Sequence, residues 1–232
     1  KNHGDHDGRV EFFLNLFTKY VEPVLEFKLR NVDEIIPISE FSAVRSLMVL
    51  YDELATVENG VNWDDEVGVV QSVAEKWFVF ALIWSLGAVA SETGRIEFDA
   101  FLRDLEAQFP PSNIVYDYAI DPKTKDWKLW EEKVPNPWKP PPDAAFFKII
   151  VPTVDTVRNV FLMQTFIQGK RDALFIGNTG TGKTVLVQQQ IDSLPEPLNS
   201  SNVTDDASSA MVIVVTVIAT NPAGGKLARS SS

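Results

Sequence analysis

Gly177-Asn178-Thr179-Gly180-Thr181-Gly182-Lys183-Thr184 spells G-x-x-x-x-G-K-[ST], and no other stretch of the 232-residue chain restricts its fold so tightly. Gly177, Gly180 and Gly182 carry no Cβ, so the backbone can turn sharply and aim successive N–H groups into one anion-binding nest. Lys183 is placed to reach the β- and γ-phosphates of a nucleotide, and Thr184 to put its hydroxyl on a Mg²⁺ ion that travels with it. The flanks suit the motif. Ala173-Leu174-Phe175-Ile176 is a short apolar run that predicts a buried strand, and Val185 opens a helix with Val187 and Ile191 four apart on one face. Strand, glycine loop and helix in that order is the unit in which such a nest works.

Upstream the pattern is helical. Residues 1–8 are polar and glycine-containing and predict a flexible start; His3 and His6 are the only imidazoles in the chain. From Val10, the spacing of Phe13, Leu16, Phe17, Tyr20, Val24 and Phe27 predicts an amphipathic helix with a bend at Pro23. Ser39 caps a second helix turning Phe41, Val44, Met48, Tyr51 and Leu54 inward as far as Asn59-Gly60. A third, from about 64 to 86, carries Val70, Val73, Trp77, Phe80, Ala81 and Trp84 on a face wide enough to be buried between neighbours. A fourth, from about 95 to 108, presents Phe98, Phe101, Leu102 and Leu105. Residues 9–109 therefore read as a helical module.

The period changes after Pro110-Pro111. Residues 115–119 and 127–130 alternate around a turn-rich stretch and predict a β-hairpin within 110–134, its tryptophans packed on the helical module. Pro135, Pro137 and Pro140-Pro141-Pro142 make 135–145 a stiff connector and a domain boundary. Residues 146–194 then hold an extended run, Ile149 to Pro152, a helix capped by Thr153 and carrying Val157, Val160, Phe161 and Phe166, and the glycine loop. The tail, 195–232, is polar apart from the run Val212 to Ala219, and reads as poorly ordered; Asn199 and Asn202 head two glycosylation patterns. The fold class expected is α/β with a large helical part.

Charge and cysteine content exclude several classes. A formal net charge of −11 opposes binding to nucleic acid or to an anionic membrane. With no Cys there is neither a disulfide framework nor a thiolate metal site. The longest apolar stretch, Met211 to Ala219, is too short to span a bilayer, and the chain is expected to be soluble and intracellular.

With these residues in view, the chain resembles the motor region of dynein heavy chains, most closely the axonemal type. Glu34-Ile35-Ile36-Pro37-Ile38-Ser39, Phe78 to Gly87, Gly94-Arg95 with Phe98-Asp99 and Phe101-Leu102, and Val115-Tyr116-Asp117-Tyr118 are similar to the end of the second AAA+ module. Ile150 to Arg158 followed by Gly177 to Thr184 is similar to the start of the third. The resemblance covers residues 9 to 192 and implies a fragment containing an AAA+ helical lid, the hairpin, and the first β-P-loop-α unit of an incomplete P-loop NTPase domain. It further implies ATP or ADP with Mg²⁺ held by Gly177 through Val185, with Val151, Pro152 and Thr153 near the adenine and Thr184 on the metal. Its partners would be neighbouring AAA+ modules of the same heavy chain, other dynein subunits and, through the parent motor, microtubules. The place implied is cytoplasm and cytoskeleton, in the axoneme of a cilium.

Two departures qualify the chemistry. Asn178 stands where the family usually has Pro, which a nest built from backbone N–H groups should tolerate. The tail from residue 195 does not look like the corresponding stretch of the family. Hydrolysis also needs an acid at the end of a second buried strand and a group that stabilises developing charge. The run ending Ile218-Ala219-Thr220-Asn221 carries no acid; Asp205-Asp206 sits at its other end, and Arg229 lies in a serine-rich stretch. Ala219-Thr220-Asn221 resembles the polar sensor strand of AAA+ proteins. The reading is nucleotide binding with little hydrolysis. Its alternatives are a helical scaffold with a non-functional P-loop, or a stand-alone P-loop NTPase.

Overall fold

Pro23 shapes the first helical stretch. Its missing N–H and its ring would break a regular helix one turn upstream, and a π-helical turn over Phe17–Val21 absorbs the misfit, with Glu22 N–H bonding Phe17 O. This joins α1 (His3–Leu16) to α2 (Glu22–Asn31) in the computed structural model, which describes residues 3–106, 108–140, 149–169, 171, 173–176 and 182–193, with side chains from residue 8. The helix begins at His3, inside the stretch expected to be flexible: no proline interrupts residues 3–8, and extending a formed helix is far easier than starting one.

The remaining helices are α3 (Glu40–Leu54), α4 (Val67–Ile83), α5 (Glu92–Leu105), α6 (Val154–Gln168) and α7 (Lys183–Asp192). Caps set their starts. Ser39 Oγ accepts from Ser42 N–H at 3.2 Å, Ser91 Oγ from Gly94 N–H at 3.1 Å, and Thr153 Oγ1 from Thr156 N–H at 3.2 Å. Ser91 thus starts α5 three residues before the expected Arg95. Asn62 delays α4, because its side chain holds Asp64 N–H at 3.2 Å and Asp65 Oδ1 at 3.1 Å in a turn that occupies the expected first residues.

α4 lies at the centre. From Trp77 to Ile83 every side chain is buried, packed by α3 on one side and by Leu16, Tyr20 and Val24 on another. α3 presents Ala43, Leu47, Leu50, Tyr51 and Leu54 to this core, a face rotated from the expected one. Phe41 is 77% exposed, a correction to the inward stripe, because Ala43 and Leu47 form a second helical stripe that shares Tyr51 and Leu54 with it. Phe27 of α2 stacks on Phe101 of α5 with centroids 4.0 Å apart.

The hairpin is shorter than its sequence suggests. β1 (Tyr118–Asp121) pairs antiparallel with β2 (Asp126–Leu129), Tyr118 opposite Leu129 and Asp121 opposite Asp126. Val115–Asp117 forms a 3₁₀ turn instead of strand, since Asp117 accepts from Ile114 N–H at 3.2 Å and closes the turn locally. A second 3₁₀ turn, Trp130–Lys133, follows β2 and buries Trp130 completely. Trp127 packs on Phe109 at 4.7 Å, so the hairpin tryptophans do join the helical core.

α6 follows the proline connector in sequence and packs back on α3 and the second 3₁₀ turn. Phe161 meets Phe80 at 6.0 Å and Trp130 at 5.4 Å, and beyond the helix Arg171 pairs with Glu53 of α3 at 3.2 Å. Ala173–Ile176, expected as a strand, pairs with no strand among the described residues. A parallel strand needs a ladder partner, and the two described strands pair only with each other. No described helix is long and apolar enough to cross a membrane, and no group of three or more metal-ligating side chains occurs among the described residues. Asn199, Asn202, Arg229 and the apolar run 212–219 lie outside the described residues.

Candidate functional site

Gly177, Asn178, Thr179, Gly180 and Thr181 lie outside the described residues, so the candidate nest is defined by its two edges. On the downstream edge Gly182 has φ +77° and ψ 7°, the left-handed conformation that L-residues with a Cβ adopt at a cost. Its carbonyl accepts from Leu186 N–H at 3.0 Å, and α7 starts immediately after it. Lys183, Thr184 and Val185 therefore occupy the first turn of a helix whose leading N–H groups have no intrahelical acceptor and whose dipole favours an anion. Lys183 is half-buried, while Thr184 and Val185 are exposed. The other face of α7 is anchored on α6: Leu186 and Gln190 are buried, and Gln164 Nε2 donates to Gln190 Oε1 at 3.0 Å.

The second group of expected site residues, Val151, Pro152 and Thr153, immediately precedes α6. A reciprocal cap holds it. Thr153 Oγ1 accepts from Thr156 N–H, and Thr153 N–H donates back to Thr156 Oγ1 at 2.6 Å. Val151 is 57% exposed and Pro152 half-buried.

A cleft of about 490 Å³ lies between the start of α6 and the flank of α7. Pro152 and Thr156 line one wall, Leu186, Gln189 and Gln190 of α7 another, and Trp130 with Trp138 a third. Its volume is of ligand scale. Lys133 lies at its edge, its ammonium 5.2 Å from the Trp130 ring centre and 5.3 Å from that of Phe161. Burial pushes the Lys133 amine below its ordinary range. Lys183 and Thr184 are not among the described lining residues, so the cleft adjoins the helix flank and the nest residues lie at the helix end.

At this end of α7 the left-handed glycine shapes the approach to the helix, and Thr184 stands exposed in its first turn, an arrangement open to an anion.

One residue near the site escapes a reading of patterns. Arg158, in the second turn of α6, is only 5% exposed. Its guanidinium lies 5.2 Å from the Trp84 ring centre, and its Nη2 donates to Asp155. Burial lowers its pKa, opposed by Asp155 and Asp117 and reinforced by Arg95. The available signal was a lone arginine within the apolar stripe Val154, Val157, Phe161 and Leu162.

Comparison with known proteins places both halves. A family model described as the dynein heavy chain AAA lid domain matches residues 13–132, and one described as the P-loop containing dynein motor region matches residues 138–220. Dynein axonemal heavy chain 2 of Mus musculus is 43% identical over 186 residues, covering 80% of this chain and 4% of its own length. The Homo sapiens protein of the same name is 44% identical over 186 residues, with the same shares of 80% and 4%. The dynein-1-beta heavy chain of the flagellar inner arm I1 complex of Chlamydomonas reinhardtii is 37% identical over 215 residues, 80% of this chain and 5% of its own. The chain thus spans about a twentieth of the length of these relatives. The second family model runs through residue 220, which corrects the expectation that the family pattern stops before residue 195. The apolar run closing on Ala219-Thr220-Asn221 was the sequence signal for that continuation.

Proposed function

The chain belongs to the dynein heavy chain family, and from that premise we propose that it closes the second AAA+ module of an axonemal-type motor with a helical lid and opens the third with a nucleotide-binding P-loop. The observation that carries the proposal is the junction at Gly182, where a left-handed glycine leads directly into a helix beginning Lys183-Thr184. Gly177 through Gly182 would contribute backbone N–H groups to the phosphates of ATP or ADP, and Lys183 a compact positive charge to the β- and γ-phosphates. Thr184 would ligate Mg²⁺, which when bound offsets phosphate charge. Val151, Pro152 and Thr153, fixed by the α6 cap, would lie near the adenine, and Val185 would add to the nucleotide contacts from the first turn of α7.

Binding is then separable from turnover. No acid ends the run Val212 to Ala219, so the chain by itself should hold nucleotide and hydrolyse it slowly. Within the intact heavy chain the site would act beside neighbouring AAA+ modules and other dynein subunits in ATP-driven, minus-end-directed movement along microtubules of the axoneme. A helical scaffold with an inert loop is the second reading, favoured by the absence of a described ladder partner for Ala173–Ile176.

Titration calorimetry with MgATP on the chain and on Lys183→Ala, beside a phosphate-release assay, separates these readings. Saturable binding lost in the variant, with release near background, supports the proposal. Identical heats from the two proteins support the scaffold, and rapid release that depends on Lys183 would require a catalytic acid and favour a stand-alone NTPase.

A further inference from the structure

Arg158 sits where the proposed nucleotide site meets the helical lid. We infer that Arg158 is a positioning residue for the base-side segment Val151-Pro152-Thr153, locking the start of α6 against Trp84 so that the segment is held ready for the nucleobase. The inference rests on the nucleotide-binding reading above and assigns it a residue outside the glycine motif.

Two contacts make the lock, one on Trp84 and one on Asp155. Trp84, fully buried at the end of α4, lies under the guanidinium, and it packs nearly perpendicular to Tyr116 with centroids 5.6 Å apart and planes at 87°. Arg95 lies over Tyr116 at 4.8 Å, so the two arginines cover successive rings of one aromatic pair. Asp155 binds Arg158 from one turn back, and the charge of Asp117 on the hairpin side favours the cation. Arg158 is therefore held by Trp84 at the end of α4 and by its own helix, whereas Val157 beside it contributes only apolar contact. A planar guanidinium over an aromatic face, paired at the same time with a carboxylate, has a preferred geometry that aliphatic side chains lack.

The lock acts on the base-side segment because nothing soft intervenes. Arg158 follows Thr153 by five residues, about 7.5 Å along a helix. The reciprocal Thr153–Thr156 cap ties the segment to the first turn, and Pro152 restricts the backbone before it. Fraying the first two turns of α6 would displace Val151 to Thr153, while the junction at Gly182 is carried by α7, whose hydrogen bond to α6 is made further along at Gln164. Loss of the lock should weaken recognition of the base and spare recognition of the phosphates.

The test compares MgATP with magnesium tripolyphosphate, which has the phosphates and no base. Calorimetric affinities for both are measured on the chain, Arg158→Met, Arg158→Lys and Lys183→Ala. The lysine variant keeps a positive charge opposite Asp155 and Asp117 and so guards against a fold lost to unpaired buried carboxylates. The expected result is a fall in MgATP affinity of about tenfold for Arg158→Met and less for Arg158→Lys, with tripolyphosphate affinity within about twofold in both, as for a loss of preorganisation on one side of a ligand. Unchanged MgATP affinity, or equal losses for the two ligands, overturns the inference. Tripolyphosphate binding that is no stronger in the chain than in Lys183→Ala overturns the nucleotide-binding reading itself, and the role of Arg158 with it.

Discussion

Gly87 closes the corner between α4 and α5, and replacing it with alanine should be among the most damaging single-methyl additions in the chain. A Cβ at this position would lie 2.6 Å from Tyr116 Oη, 2.8 Å from Phe98 Cε1 and 2.9 Å from the backbone oxygen of Ile83. Phe98, Tyr116 and Ile83 are all buried, so none can swing into solvent. Overpacking of this kind costs about 1–3 kcal/mol. The methyl also displaces the Tyr116 hydroxyl, which donates to Gly87 O at 2.8 Å, and a buried hydrogen bond adds about 1 kcal/mol. Together, about 3 kcal/mol of destabilisation is expected for Gly87→Ala, a fall in Tm of about 6–12 °C for a chain of this size. Tyr116→Phe alone should cost about 1 kcal/mol. In the double variant the hydrogen bond can be lost only once and the nearest clash is gone, so its cost should fall short of the sum by about 1 kcal/mol. Urea unfolding followed by circular dichroism measures all three. Gly87→Ala within about 0.5 kcal/mol of the parent, the range of innocuous surface changes, would refute the close packing of this corner.

The single O–H of Tyr20 is shared between Glu75 at 2.7 Å and the buried Glu106, with Lys19 completing the group at 2.8 Å and 3.3 Å. Tyr20→Phe removes the donor that the two carboxylates share and should cost about 1–3 kcal/mol in urea unfolding; a neutral result would show that Lys19 alone suffices. Asp121 is held down at about 2, first by the Lys128 ammonium and then by Lys123 N–H at 2.9 Å. Its folded pKa lies below the unfolded value of about 3.9, so its stabilisation is present above that pH and is lost as pH falls towards 2. Asp121→Asn should flatten the acid slope of the urea midpoint in that window, and parallel slopes for the two proteins would show that the pair carries no linkage.

How far the sequence discloses this molecule depends on whether the deciding interaction is local. Ser39 and Thr153 announce their helices because a capping hydroxyl needs only the next turn, and Pro23 announces a disturbance because its ring meets its own helix. The long apolar face of α4 identifies the centre of the core for a similar reason, since a helix apolar almost all round must be covered. Tertiary choices were less visible. Two apolar stripes on α3 satisfy the helical period equally, and only contact with α4 decides that Leu47 goes in and Phe41 stays out. The start of β1 yields to Asp117, whose carboxylate captures a neighbouring N–H instead of leaving it for a ladder. At the site, the glycine motif names its own residues, and Gly182 at the head of α7 follows from it directly. Arg158 does not, because its significance depends on Trp84, 74 positions earlier in the sequence.

The central claim, that the glycine loop leading into α7 binds a nucleotide, is tested most directly by a thermal melt of the chain with and without MgATP, beside Lys183→Ala. A ligand at about 100 times its Kd stabilises a folded site by about 2.7 kcal/mol. The account predicts a rise in Tm that depends on nucleotide concentration and disappears in the variant. A cooperative melt that MgATP leaves unmoved, or a shift that Lys183→Ala retains in full, would contradict it.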